Sequence, residues 1–423
     1  MLRTLLFLLA FLTLPLTAFA AQPVVRSVTI DGPINPVTAS YLHRNLAEAA
    51  LRGERLLLVE MDTPGGLDSA MRTIVKEVFA SPVPVVVYVT PAGARAASAG
   101  AVIALAADVC AMAPGTNIGA AHPVAVGEQP DKVMKEKMVN DAEAYVEGIA
   151  LKRGRNPLLA KQMVRDSLSL TADRALTEGV IDLVASDRDD LIRRLDGRTV
   201  SREGKSTVLS LVGAAVVHHP MGTRERILDA ISNPNVAYVL LMLGMLGLFF
   251  ELSNPGVILP GVIGGISLIL AFFALQTLPV NYAGVLLILL ALIMFIAEIK
   301  IPSHGMLTVG GVIAMIFGSL LLFESPDPYL RVSWSVILVT SFATAAFFVF
   351  AVTKAVAAHR RRPVTGQEGL IGERGRAVSA IAPEGKAFLR GEYWDAWSDE
   401  AIAAGEKVTV VEVEGMRVKV KRL

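Results

Sequence analysis

Leu56-Leu57-Leu58-Val59-Glu60-Met61-Asp62-Thr63-Pro64-Gly65-Gly66 is the stretch from which the rest of the chain can be read. A nearly unbroken apolar run closed by Thr-Pro-Gly-Gly predicts a strand buried on both faces, as in a parallel sheet. Leu67 to Ala80 then predicts a helix and Val83 to Thr90 a second buried strand. Strand, helix and strand in this order make an α/β layer. Two adjacent glycines at the carboxyl end of a strand leave backbone N–H groups unshielded, and such donors can meet an oxyanion developing on a carbonyl. Gly65 and Gly66 are therefore candidate oxyanion-hole residues, although a plain turn would use Pro-Gly-Gly equally well.

The second strand leads into Pro91-Ala92-Gly93-Ala94-Arg95-Ala96-Ala97-Ser98-Ala99-Gly100-Ala101. Small neighbours let a peptide backbone approach the Ser98 hydroxyl. A helix predicted from Ala96 to Ala106 would add N–H dipoles that favour an acyl-transfer transition state. Ser98 is thus the candidate nucleophile, and it needs a base. Asp131 to Arg153 reads as a helix carrying Lys132, Lys135 and Lys137, and spacing does not choose among them. A lysine base must be neutral, so burial has to lower its pKa from about 10.4; Met134 and Met138 could supply the apolar wall. His122, in a His-Pro context, is the rival, with Asp166, Asp173 or Asp182 as the acid of a triad and none of them marked out.

Outward from this core, the composition of the whole chain excludes a wholly soluble globule: of 423 residues, 53% are hydrophobic and only 19% charged. A net charge of +1 offers no basic surface for nucleic acid. The single cysteine, Cys110, lies in an apolar strand and reads as inert core, and six scattered histidines include no pair at metal-ligand spacing. Arg95 reads as a rim charge, and Gly204-Lys205-Ser206 lacks the leading strand and first glycine of a phosphate loop. Residues 1–20 read as a secretory signal, with Arg3, an apolar run and Ala18-Phe19-Ala20. Residues 21–230 then form an exported α/β domain.

Residues 231–358 are almost continuously apolar and divide into five segments, about 236–251, 257–278, 283–299, 305–323 and 332–356, each able to cross a bilayer. Five crossings place the C-terminus in the cytoplasm, in agreement with Lys300, Lys354 and Arg360-Arg361-Arg362 on predicted inner sides. A helical hairpin occurs twice: Phe250-Glu251-Leu252, Pro255 and Gly264-Gly265 recur as Ala297-Glu298-Ile299, Pro302 and Gly310-Gly311. Residues 364–423 alternate in short runs between glycines, which predicts a small β-barrel of the OB type. With nine Lys plus Arg against ten Asp plus Glu it has no basic face, so it reads as a protein-interaction module, and Trp394 and Trp397 as packing residues.

Asp62-Thr63-Pro64-Gly65-Gly66, Ala97-Ser98-Ala99-Gly100, Ala113-Pro114-Gly115-Thr116 and Asn117-Ile118-Gly119-Ala120 together resemble the ClpP/crotonase spiral fold. Within it, the chain is most similar to long-form NfeD membrane serine proteases, and the likeness runs from the signal to the barrel. That resemblance implies a multidomain membrane protein: a ClpP/crotonase-like α/β domain, a five-helix transmembrane region and an OB-fold-like barrel. It further implies a serine–lysine dyad of Ser98 and Lys137, the lysine chosen by its place in the helix that ends at Gly154-Arg155-Asn156. Gly65 and Gly66 line the oxyanion hole, and no cofactor or metal is implied. The implied substrate is a hydrophobic peptide or protein segment. The implied partners are a stomatin/prohibitin-class membrane protein and further copies of the chain, at the inner membrane.

Overall fold

The computed structural model describes residues 22–124, 131–202, 204–253, 256–276, 278, 280–301, 303–323, 325, 328–359 and 367–423. The predicted signal segment, Pro255, Pro302 and Arg360 to Arg362 lie outside these residues.

The chain divides into two compact units. Residues 1–293 and 309–343 form the first, and residues 294–308 and 344–423 the second. In the first unit, β1 (Val24–Asp31), α1 (Pro36–Arg52), β2 (Leu56–Asp62), α2 (Asp68–Ala80) and β3 (Val85–Val89) lay down the expected α/β layer. There follow β4 (Arg95–Ala97), α3 (Ala99–Ala106), β5 (Val109–Met112), β6 (Asn117–Gly119), α4 (Lys132–Lys152), α5 (Pro157–Arg165) and β7 (Ser169–Thr171). Next come α6 (Ala172–Thr177), β8 (Leu183–Val184), α7 (Arg188–Leu195), the hairpin β9 (Thr199–Arg202) and β10 (Lys205–Val208), and β11 (Ala215–His218). Six strands pair in the order β11-β1-β2-β3-β5-β8, all parallel, and β4, β6 and β7 make a second, smaller sheet. This is the α/β spiral that the motifs announced.

β2 and β3 are buried along almost their whole length because helices cover both faces of the sheet. Charge in this interior is partnered. Asp108 is fully buried between Arg153 (2.6 Å) and Arg202 (2.7 Å) and also accepts the Val85 N–H at 2.8 Å. Burial pulls the Arg153 guanidinium below its ordinary pKa, and Asp108 pushes back. Cys110 is buried, and desolvation lifts its thiol to about 12, so the expectation of an inert core cysteine is met. Arg95 is exposed.

After α8 (Thr223–Ile231), five apolar helices follow: α9 (Pro234–Ser253), α10 (Ile258–Leu275), α11 (Tyr282–Lys300), α12 (Met306–Leu322) and α13 (Trp334–His359). Two of them carry apolar spans of at least 18 residues, Pro234–Leu252 and Ile258–Leu275. The others are shorter in that measure: Tyr282–Glu298, Met306–Leu322 and Trp334–Phe350. Glycines set how closely the hairpins pack, since a Cβ at Gly247 would stand 2.6 Å from the Pro260 carbonyl oxygen. The duplicated glutamates differ. Glu298 caps α12, accepting from the Ser303 hydroxyl (2.7 Å) and the N–H groups of Gly305 and Thr308 (3.0 Å each). Glu251 packs its methylenes against Gly261, and its Oε2 has no hydrogen-bond partner among the described residues.

In the second unit, β12 (Arg374–Ala377), β13 (Glu384–Leu389), β14 (Glu392–Trp397), β15 (Lys407–Glu414) and β16 (Arg417–Arg422) close a barrel in the order β12-β13-β14-β16-β15. Ala387, Leu389, Val408, Val418 and their neighbours fill it, with Trp394 packed against them. The Arg417 guanidinium lies 5.6 Å from the Trp397 ring centre.

Candidate active site

Ser98 sits at a junction that the helix reading misplaced. Ala96 was expected in the helix. Instead it belongs to β4, which bridges Thr63 at the end of β2 and pairs with Ile118 of β6, and α3 begins only at Ala99. Pairing on both sides outweighs the helical preference of an alanine run. Between strand and helix, Ser98 has φ 51° and ψ −117°, a conformation that non-glycine residues rarely hold. The surroundings impose it: Ser98 N–H donates to the Gly119 carbonyl (2.9 Å), Ala97 N–H to Thr63 (3.1 Å) and Thr63 N–H to Arg95 (2.8 Å). No sequence signal announces this strain.

The glycines beside it are sterically required. A Cβ at Gly66 would lie 2.1 Å from the Ile34 carbonyl oxygen, and one at Gly100 would lie 2.3 Å from Thr63 Cγ2. Gly65 has φ +122°, and a Cβ there would stand 2.7 Å from Ser98 Cβ. Its carbonyl accepts from Ile34 N–H, and Leu67 N–H donates back to Ile34 at 2.9 Å. Gly66 N–H, between them, makes no hydrogen bond among the described residues, nor does Ala99 N–H at the start of α3. Such N–H groups are chemically able to donate to an oxyanion. Ala99 escapes the sequence reading because its place beside Ser98 depends on where the helix begins.

Ser98 lines a cavity of about 250 Å³ walled mainly by apolar side chains, among them Leu67, Met71, Val102, Met138, Val164 and Leu330. His122 is on the same wall, half-buried, with Nδ1 2.8 Å from the Val164 carbonyl oxygen. That bond orients the ring through a carbonyl and not through an aspartate. Asp182 is engaged elsewhere, by Arg155 (2.6 Å) and the Cys110 N–H (2.7 Å).

α4 contributes Met138, Asp141, Ala142 and Tyr145 to the cavity. From Asn140 onward it is tied down. Arg165 pairs with Glu143 and reaches Asn140 (3.0 Å), while Arg72 of α2 bonds Asp141 (2.6 Å) and lies 4.4 Å from the Tyr145 ring centre. Burial raises the Tyr145 hydroxyl pKa. The turns before Asn140 are different: Lys132, Lys135 and Lys137 are exposed and make no ion pair among the described residues. Met134, expected to wall off a buried lysine, is half-exposed. Ser98, Gly65, Gly66 and His122 therefore come together, while Lys137, one helical turn before Asp141, is exposed and is not among the residues that line the cavity. Among the described residues no group of three or more His, Cys, Asp or Glu could hold a metal ion.

Comparison with known proteins assigns the whole chain. It is 36% identical to "Membrane-bound protease PH1510" of Pyrococcus horikoshii, over 98% of this chain and 96% of that one. The chain belongs to the NfeD family. Family descriptions match piece by piece: the NfeD1b N-terminal domain at residues 24–201, the NfeD integral membrane domain at 235–354, and the NfeD-like C-terminal, partner-binding domain at 367–422. This NfeD chain is a membrane protein and a serine peptidase by class. Two solved fragments are also similar. The "1510-N membrane protease specific for a stomatin homolog" from P. horikoshii is 32% identical, covers 50% of this chain and 100% of its own, with TM-score 0.45. A lysine-to-alanine mutant of the stomatin-specific 1510-N protease, in complex with a substrate peptide, is 33% identical over 50% of this chain and 98% of its own, with TM-score 0.47.

Proposed function

We propose that this NfeD protein is an endopeptidase that cuts hydrophobic segments of a stomatin-class membrane protein, with Ser98 as nucleophile and Lys137 as general base. Neutral Lys137 takes the Ser98 proton as Oγ attacks the peptide carbonyl. The oxyanion is received by N–H groups at the Gly65-Gly66 turn and at Ala99. The acyl-enzyme is then released by water that the same lysine activates. One observation carries the reading: a serine forced to positive φ lines an apolar cavity, beside two backbone donors left unbonded. The apolar walls fit a hydrophobic segment, and a similar solved fragment is described as specific for a stomatin homologue. Residues 21–230 would act outside the cytoplasm, and the barrel inside it would hold the partner.

Lys137 is exposed in the free chain, so the dyad requires the first turns of α4 to close over bound peptide and desolvate the amine. His122 is the second reading, favoured because it already lines the cavity with its ring oriented by Val164. A fluorophosphonate probe on the detergent-solubilised full chain separates them. The dyad predicts labelling that is lost in Ser98→Ala, suppressed in Lys137→Ala and kept in His122→Ala. The reverse pattern for the last two installs the histidine. A native chain that never labels would be a non-catalytic membrane scaffold.

A further inference from the structure

The connection between α12 and α13 reaches the catalytic cavity. Leu330, only 6% exposed, lines it together with Ser98, Leu67 and Val164. Tyr329 stands beside Gly65: a Cβ on that glycine would lie 2.8 Å from the Tyr329 hydroxyl oxygen and 3.2 Å from Ser98 Oγ. Both hydroxyl oxygens thus flank one glycine and are no more than about 6 Å apart. The same two residues also line a second cavity of about 120 Å³, whose other walls include Ile34, Asn35 and Leu278. Leu330, together with Leu67, lines both spaces and so divides them, while Tyr329 lines the smaller one. The turn is held from both ends, since Arg331 Nε donates to the Ser325 carbonyl and Ser333 N–H donates to Asn235 Oδ1 at 2.8 Å.

We propose that the Tyr329–Leu330 turn, supplied by the apolar helical region, is a wall of the peptide site that limits the size of the side chain accepted next to the scissile bond. This rests on the serine-peptidase reading and extends it: the exported α/β layer alone does not complete its own specificity pocket. A wall fits the geometry better than a plug, because the cavity beside Ser98 stays open at about 250 Å³ with the turn in place. The substrate side chain the space suits is apolar. Removing part of the partition would join the smaller cavity to the larger and admit a bulkier residue.

The test uses the full chain in detergent and quenched peptides that differ only in one residue, Ala, Leu or Phe, beside the cut. Leu330→Ala is expected to raise kcat/KM for the Phe peptide over the Ala peptide by about tenfold, the usual size of a small volume change in an apolar pocket. Leu330→Phe should shift the ratio the other way, and Tyr329→Phe, which keeps the ring, should leave it alone. Fluorophosphonate labelling of Ser98 in each variant reports that the chain is folded with a reactive serine; if Leu330→Ala does not fold, Leu330→Val takes its place. A uniform rise for every peptide together with faster labelling would make the turn a plug and overturn the proposal. Unchanged ratios with normal labelling would overturn it while leaving the serine peptidase standing. Absence of labelling in the native chain would remove the reading beneath it.

Discussion

On one side of the Ser98 cavity the backbone has nowhere else to go. Gly66 abuts Ile34, Gly100 abuts Thr63, and β4 is clamped between β2 and β6, so Ser98, the proposed nucleophile, and the N–H groups beside it are held in place by the fold itself. Across the cavity, the polar ties of α4 begin at Asn140, just after Met138 and Val139 start its apolar packing, and its earlier turns carry three exposed lysines. The difference teaches where preorganisation ends in this molecule. Ser98 and the N–H groups beside it are fixed by the fold; Lys137, the proposed base, which would have to be dry to be neutral and would be costly to bury unpaired, is exposed.

The comparison can be broken hardest at Ser98. Ser98→Ala should lower peptide cleavage by at least about 10⁴-fold. Ser98→Gly should be equally inactive yet more stable than native by about 1 kcal/mol, read by thermal unfolding in detergent, because glycine relieves the strained φ. No gain in stability would mean that the conformation is not strained. Next comes the interior charge on the fixed side: Asp108→Asn leaves Arg153 and Arg202 buried and underpaired and should cost about 3–5 kcal/mol. On the rim, Asp141→Asn should cost less than about 1 kcal/mol. Equal costs would erase the contrast.

Glycine substitutions sharpen it further. Gly66→Ala is expected to lower stability by about 2 kcal/mol and kcat by about 10²-fold, since the turn must shift away from Ile34. Gly148→Ala, on exposed α4 with nothing within 4 Å, should instead stabilise by roughly 0.5–1 kcal/mol. The smallest effect lies at the pair of Arg44 and Glu225, bonded at 2.9 and 2.8 Å between α1 and α8. The hydrogen bond from Arg44 holds the Glu225 pKa below its ordinary value, so the unfolded chain takes up its proton first as pH falls. The pair's contribution, below about 1 kcal/mol, is full above the unfolded carboxylate range near pH 4.5 and disappears as pH drops through the lower folded value. Glu225→Gln should flatten that part of the stability curve.

Much of the fold was legible because burial leaves a periodic trace. Leu56 to Met61 and Val83 to Val89 announce strands covered on both faces, five apolar runs announce five helices, and glycine-punctuated alternation announces the barrel. The site was legible in its small residues, since Gly65, Gly66 and Ser98 had to sit where a backbone approaches closely. The helix predicted from Ala96 begins three residues later, at Ala99, because propensity favours helix in an alanine run and only the pairing of β4 says otherwise. Tyr329 could not be foreseen at all: some 230 residues separate it from Ser98, and nothing in Pro328-Tyr329-Leu330 speaks of a peptide site.

Composition and local pattern by themselves determined the layers, the membrane segments and the serine, because apolar spacing and steric smallness are properties of neighbouring residues. Tertiary structure alone decided the strained φ of Ser98, the carbonyl that turns His122, the exposure of Lys137 and the arrival of Leu330 at the cavity. Each of these depends on which distant backbone a residue meets, and chain order carries no measure of that distance.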